Sequence, residues 1–153
     1  MSNKLALKLA KKRRSELWGK MANKPYNSLL KYGYAVIKPV PAESFYIVSC
    51  GEQRTVNPHG LEDAVVFKND SFLTIYERWS VPSNCIAEYS FHYQLPGGGS
   101  IRYEMDSEAA SASHPEYHLH VSALGDDYRL PTGQITCESV LEMIFEQFLA
   151  PKQ

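Results

Sequence analysis

Apolar residues recur along this chain at two different periods, and the change of period divides it into three parts. Near the N-terminus Leu5, Leu9, Leu17 and Met21 fall at spacings of four or eight, with Trp18 beside them. That spacing predicts a helix over 3–22. The helix ends before Pro25, because the residue ahead of a proline avoids helical dihedrals. A short turn or helix is expected over 27–32. Beyond Pro39 and Pro41 the period changes to two. Alternation predicts strands over 44–50, 63–68, 71–81, 85–95, 100–106, 117–123 and 128–130. Asn69-Asp70, the stretch 81–84 and Pro96-Gly97-Gly98-Gly99 supply the turns, the last as a strong hairpin signal. The helical period then returns: Val140, Leu141, Ile144, Phe145, Phe148 and Leu149 form one apolar stripe. Thr136 is placed to cap that helix, with Glu138 in its positive first turn, and Pro151 stops it.

The pattern predicts one α+β domain over 1–153. It comprises a basic helical arm (1–31), an antiparallel β-meander of five to seven strands (44–130) and an amphipathic helix (136–149). Both helices are expected to pack on the sheet face that carries the aromatics. Composition agrees, with 153 residues, 44% hydrophobic and 22% charged, ordinary for a water-soluble globular chain. No apolar run reaches the length of a membrane span. The first residues lack the apolar core of a secretory signal. Three widely spaced cysteines without a CxxC suggest neither a disulfide framework nor a zinc knuckle. A reducing cytoplasm is therefore the expected location.

Charge changes the picture more. Net charge is −1, yet residues 1–31 sum to +8 and the remainder to −9. A basic arm on an acidic body points to an anionic partner. Lys8, Lys11, Lys12, Arg13 and Arg14 are the expected nucleic-acid contacts. The alternative is a solvated helix lying on its own acidic body.

The remaining chemistry gathers in the middle of the chain. His114, His118 and His120 fall within seven residues, shortly after Arg102, Glu104 and Asp106. Successive side chains on a strand point to opposite faces. Arg102, Glu104 and Asp106 therefore share one face of their strand, and His118 and His120 one face of theirs. A hairpin through the glycines sets His92 across from Arg102 or Glu104. The expected polar wall is His92, Arg102, Glu104, Asp106, His118 and His120, with His114 and Glu116 at its rim. Three chemistries fit it. Two histidines and an arginine suit metal-independent RNA cleavage, in which the histidines exchange protons and the guanidinium grips phosphate. Alternatively, His118 and His120 with Asp106 or Glu104 hold a divalent metal. The third possibility is a salt-bridged, solvated sheet face.

The strand Ile101-Arg102-Tyr103, then Asp106, His114-Pro115, His118-Leu119-His120 and the helix SVLEMIFEQF together resemble the TumE-type toxins of bacterial toxin–antitoxin systems, over about residues 72–148. Ser107 stands where that family carries an asparagine, and the basic arm is an addition to its pattern. The resemblance implies a cytoplasmic bacterial toxin with an antitoxin-like protein partner and RNA as target. With the wall, it leads to an expected metal-independent ribonuclease using His92, Arg102, Asp106, His118 and His120, with no cofactor and no membrane partner. The alternatives are a non-catalytic protein- or nucleic-acid-binding module using the arm, and a metal-dependent hydrolase.

Overall fold

The computed structural model describes residues 3–38, 43–57, 60–106, 115–125 and 128–150. Helix α1 (Asn3–Ala22) is followed by a short α2 (Lys24–Leu29) and strands β1 (Leu30–Tyr32) and β2 (Tyr34–Lys38). Then come β3 (Ser44–Cys50), β4 (Glu52–Asn57), β5 (Gly60–Phe67), β6 (Phe72–Ser80), β7 (Cys85–Gln94), β8 (Ser100–Asp106), β9 (Tyr117–Val121) and β10 (Leu130–Pro131). Helix α3 (Cys137–Ile144) continues into a wider π-helical turn, Phe145–Leu149. Thr136 caps α3 as expected, its Oγ1 accepting from Ser139 N at 3.1 Å. Among the described residues no helix is long and apolar enough to cross a membrane.

The α+β class is as predicted, and both helices lie on one face of an antiparallel sheet. The strand count is not: ten strand segments pair, against five to seven expected. The sheet also begins at Leu30 rather than at 44, where a turn or helix was expected over 27–32. β1, β2 and β4 were missed because LKY and YAVIK are short and EQRTVN is mostly polar, so none carries a clear alternation. Their extended form comes from pairing with the apolar strands beside them. Gly33 separates β1 from β2 at φ +131°, a region favouring glycine, and a Cβ there would lie 2.6 Å from Val65 Cα.

From β5 to β10 the sheet is a meander, with β6 at its branch point. The C-terminal half of β6 pairs with β3 (Val48 opposite Tyr76), while its first residues pair with β5 (Val66 opposite Phe72). Between these ladders Ser49 completes the hydrogen bonding. Its buried Oγ accepts from Ile75 N at 2.9 Å and donates to Asp63 O at 2.8 Å.

One sheet face is the core. Phe45, Ile47, Leu73, Ile75, Tyr89, Phe91 and Tyr93 pack against Ala6, Ala10, Leu17 and Met21 of α1 and Val140, Leu141 and Ile144 of α3. The buried stripe of α1 keeps the expected Leu17 and Met21 but starts through Ala6 and Ala10: Leu5 is exposed, Leu9 half-buried and Trp18 44% exposed. Small alanines allow the helix to approach the sheet closely. Trp18 instead meets Tyr34 edge-on at its rim.

Candidate functional site

The opposite face of β6–β9 carries the polar wall. Register makes it a lattice. Thr74, His92, Arg102 and His120 form one cross-strand row. Tyr76, Ser90, Glu104 and His118 form the next. Arg78, Glu88 and Asp106 form a third, with Arg78 Nε 3.2 Å from Glu88. The glycine hairpin fixes this registry. Gln94 pairs with Ser100 across a five-residue loop, and Gly98 and Gly99 adopt φ near +90°. Of the two expected partners for His92, Arg102 is the one it meets.

Glu104 is the hub. Its Oε1 accepts from Arg102 Nε at 2.6 Å, lies 3.2 Å from His120 Nε2 and 3.9 Å from His118 Nε2. The sequence offered Glu104, as the alternative to Asp106, as a metal ligand beside the two histidines; register sets it directly opposite His118 and diagonal to His120. The histidine rings meet edge-on with centroids 4.9 Å apart. His118 Nδ1 lies 2.8 Å from Pro115 O. A carbonyl only accepts, so this nitrogen carries a proton. This contact gives the His-Pro dipeptide a local purpose, because the Pro115 carbonyl orients His118.

Burial of the wall differs from the expectation. His118 is 2% exposed and His120 7%, while Tyr117 and Leu119, the expected buried set, are only half-buried. Arg102 and Glu104 stay partly open. Burial, with the Arg102 charge next, pushes the His92 pKa below the ordinary value; the same causes lower that of His120, where His118 and Arg129 act in the same sense. Glu104 opposes the lowering at both. Arg129, just before the β10 residue that pairs with Leu119, brings a second guanidinium into the field of His120. Arg129 had no readable role in the sequence, because it stands alone in a short strand.

Asp106 lies on the same face but opposite Glu88, one row beyond Glu104, so it is outside the cluster formed by Glu104, His118 and His120. His114 lies outside the described residues. Tyr103 and Tyr117 face the hydrophobic core. Tyr46 and Tyr76 are the aromatics that share the wall's face, with ring centroids 6.1 Å apart. Tyr76 borders a cleft of ≈ 300 Å³ at the branch of the sheet, lined also by Val36, Val48, Cys50, Glu62 and Thr74. Thr74 is directly opposite His92, so the cleft opens onto the first polar row.

The expected nucleic-acid contacts on α1 lie across the sheet from this wall. Lys8, Lys11 and Lys12 are exposed and Arg14 is half-buried. Arg13 has to be removed from the set. It is 9% exposed and grips Glu77 of β6 through Nε and Nη2 at 2.8 and 2.7 Å, and Glu138 of α3 through Nη1 and Nη2, both at 2.7 Å. Glu77 is fully buried, and its Oε1 also accepts from Trp79 Nε1. The guanidinium is thus a core clasp joining helix, sheet and helix.

The sequence model of the family described as Toxin TumE matches residues 42–149, about seven-tenths of the chain and everything from β3 to the π-helical turn. No curated protein and no solved structure matches.

Proposed function

The chain belongs to the TumE toxin family, and from that premise we propose that it is the toxin of a toxin–antitoxin pair, that it cleaves RNA, and that the polar rows of β7–β9 are its reacting surface. The observation that carries this reading is the row His92–Arg102–His120 beside the hub at Glu104. Arg102 offers a planar fork that matches phosphate oxygens and is 37% exposed at its side chain. Arg129 adds a second cation to the same end of the sheet. His92 stands beside the cleft with its pKa lowered, which suits a base that takes a ribose hydroxyl proton near neutral pH. Tyr76 at the cleft, with Tyr46 beside it, offers a face on which an unstacked base can lie.

This reading modifies the two-histidine scheme. A proton donor must be charged at working pH, and burial disfavours that state at His92 and His120 alike. Phosphate charge is then met by the guanidinium groups rather than by an imidazolium. An antitoxin-like protein partner belongs to the same reading.

The test uses purified protein and single-stranded RNA. Arg102→Ala and Glu104→Gln are expected to lower cleavage about 100-fold or more, the scale of removing one charge-stabilising donor. Thermal unfolding of each variant confirms that it folds. Folded variants that still cleave and still arrest growth would overturn the assignment.

A further inference from the structure

We propose that Glu104, His118 and His120 bind one divalent transition-metal ion of the zinc class. This deepens the RNA-cleavage reading, since such an ion would polarise a phosphate oxygen beside Arg102. The site itself rests on independent geometry. One ligand atom from each residue lies within 4.8 Å of the other two. Zinc bonds of ~2.0–2.1 Å to nitrogen and oxygen put neighbouring tetrahedral ligands ~3.4 Å apart. The observed 3.2 and 3.9 Å from Glu104 Oε1 to the two Nε2 atoms bracket that length. Small side-chain rotations would complete the set.

The donor chemistry points the same way. Pro115 O takes the Nδ1–H of His118, which leaves Nε2 as the ring atom on the side of the Glu104 carboxylate. An imidazole nitrogen and a carboxylate oxygen so placed are donors that one cation draws together. A ligating histidine that donates its other N–H to a backbone carbonyl is the usual arrangement around such ions. His120, 7% exposed, brings its Nε2 to the same oxygen but, unlike His118, has no hydrogen-bond partner for Nδ1 among the described residues.

Two features define the kind of site. The ligands come from adjacent rigid strands, β8 and β9, and Glu104 is 29% exposed, so a fourth position stays open to water or substrate. Arg102 also bonds the ligating oxygen, which weakens its hold on a cation. The expectation is an exchangeable ion and not a closed structural centre.

The test begins with the purified full chain, stripped with a chelator and titrated with Co²⁺, read by its visible absorption, and with Zn²⁺, read by calorimetry. Wild type is expected to take up one ion per chain and to gain thermal stability with Zn²⁺. Glu104→Gln, which keeps the shape, and His120→Gln should weaken binding at least ~10-fold, while His92→Ala should bind as wild type. No stoichiometric uptake by wild type, or unchanged affinity in folded Glu104→Gln, overturns the site. Ion binding without RNA cleavage keeps the site and removes the ribonuclease reading. Cleavage by a protein that binds no ion does the reverse.

Discussion

At the scale of single residues, environment separates groups that look alike in sequence. Arg13 and Arg14 are neighbours in a basic run, yet only Arg13 is drawn into the core. Removing it would leave Glu77 as an uncompensated buried charge, so Arg13→Ala is expected to cost about 3–5 kcal/mol by chemical denaturation. Glu138 provides the pH dependence. Burial alone would raise its pKa, but the Arg13 hydrogen bonds and charge outweigh it and hold the value below the ordinary 4.5. A depressed folded-state pKa contributes stability that is present above the unfolded value and lost as pH falls through the folded one. The denaturant midpoint should therefore drop below about pH 4.5 more steeply in wild type than in Glu138→Gln. For His92 the facing groups are Arg102 and Glu104 on β8 and Glu62 on β5. Burial and Arg102 prevail, so its NMR titration should have a midpoint below 6.5, and Arg102→Ala should move it upward. A wild-type midpoint at or above 6.5 would contradict this account.

At the scale of elements, strong periodicity was readable and borrowed structure was not. The first helix, the Thr136 cap and the hairpin at Gly97–Gly99 follow from local signals, and the hairpin alone sets Arg102 opposite His92. β4 could not be read because EQRTVN is held by pairing with β5 and not by its own pattern. The inward position of His118 and His120 was equally hidden, since alternation assigns a face but not what covers it. Glu104 emerged as the hub only when registry set it opposite His118 and diagonal to His120. Ser49 shows how much one side chain can do for an element. Ser49→Ala would strand the Ile75 amide and the Asp63 carbonyl at the branch, with an expected loss of about 1–3 kcal/mol. Faster amide exchange at Ile75 would locate the damage.

At the scale of the whole molecule, the sheet separates two chemistries. Cations of α1 lie over the core face and the polar rows of β7–β9 lie on the other. Steering of RNA by the arm directly into the wall is thus not the geometry found. Reversing charge at Lys8, Lys11 and Lys12 together is expected to leave the fold intact and to change cleavage less than fivefold, measured at low salt where electrostatic effects are largest. Deleting residues 1–22 is a different experiment. It removes Ala6, Ala10, Leu17 and Met21 from the core along with Arg13, and cooperative unfolding should be lost.

The Arg13 clasp has an evolutionary reach. Glu77 and Glu138 lie within the region shared with the TumE family, whereas their cation comes from before it. A carboxylate sealed in a core is tolerable only where a cation arrives to meet it. Relatives built without this first helix should therefore carry an uncharged residue at the place of Glu77, or find another base for it. That single position becomes a marker, across the family, for which members own the extra helix.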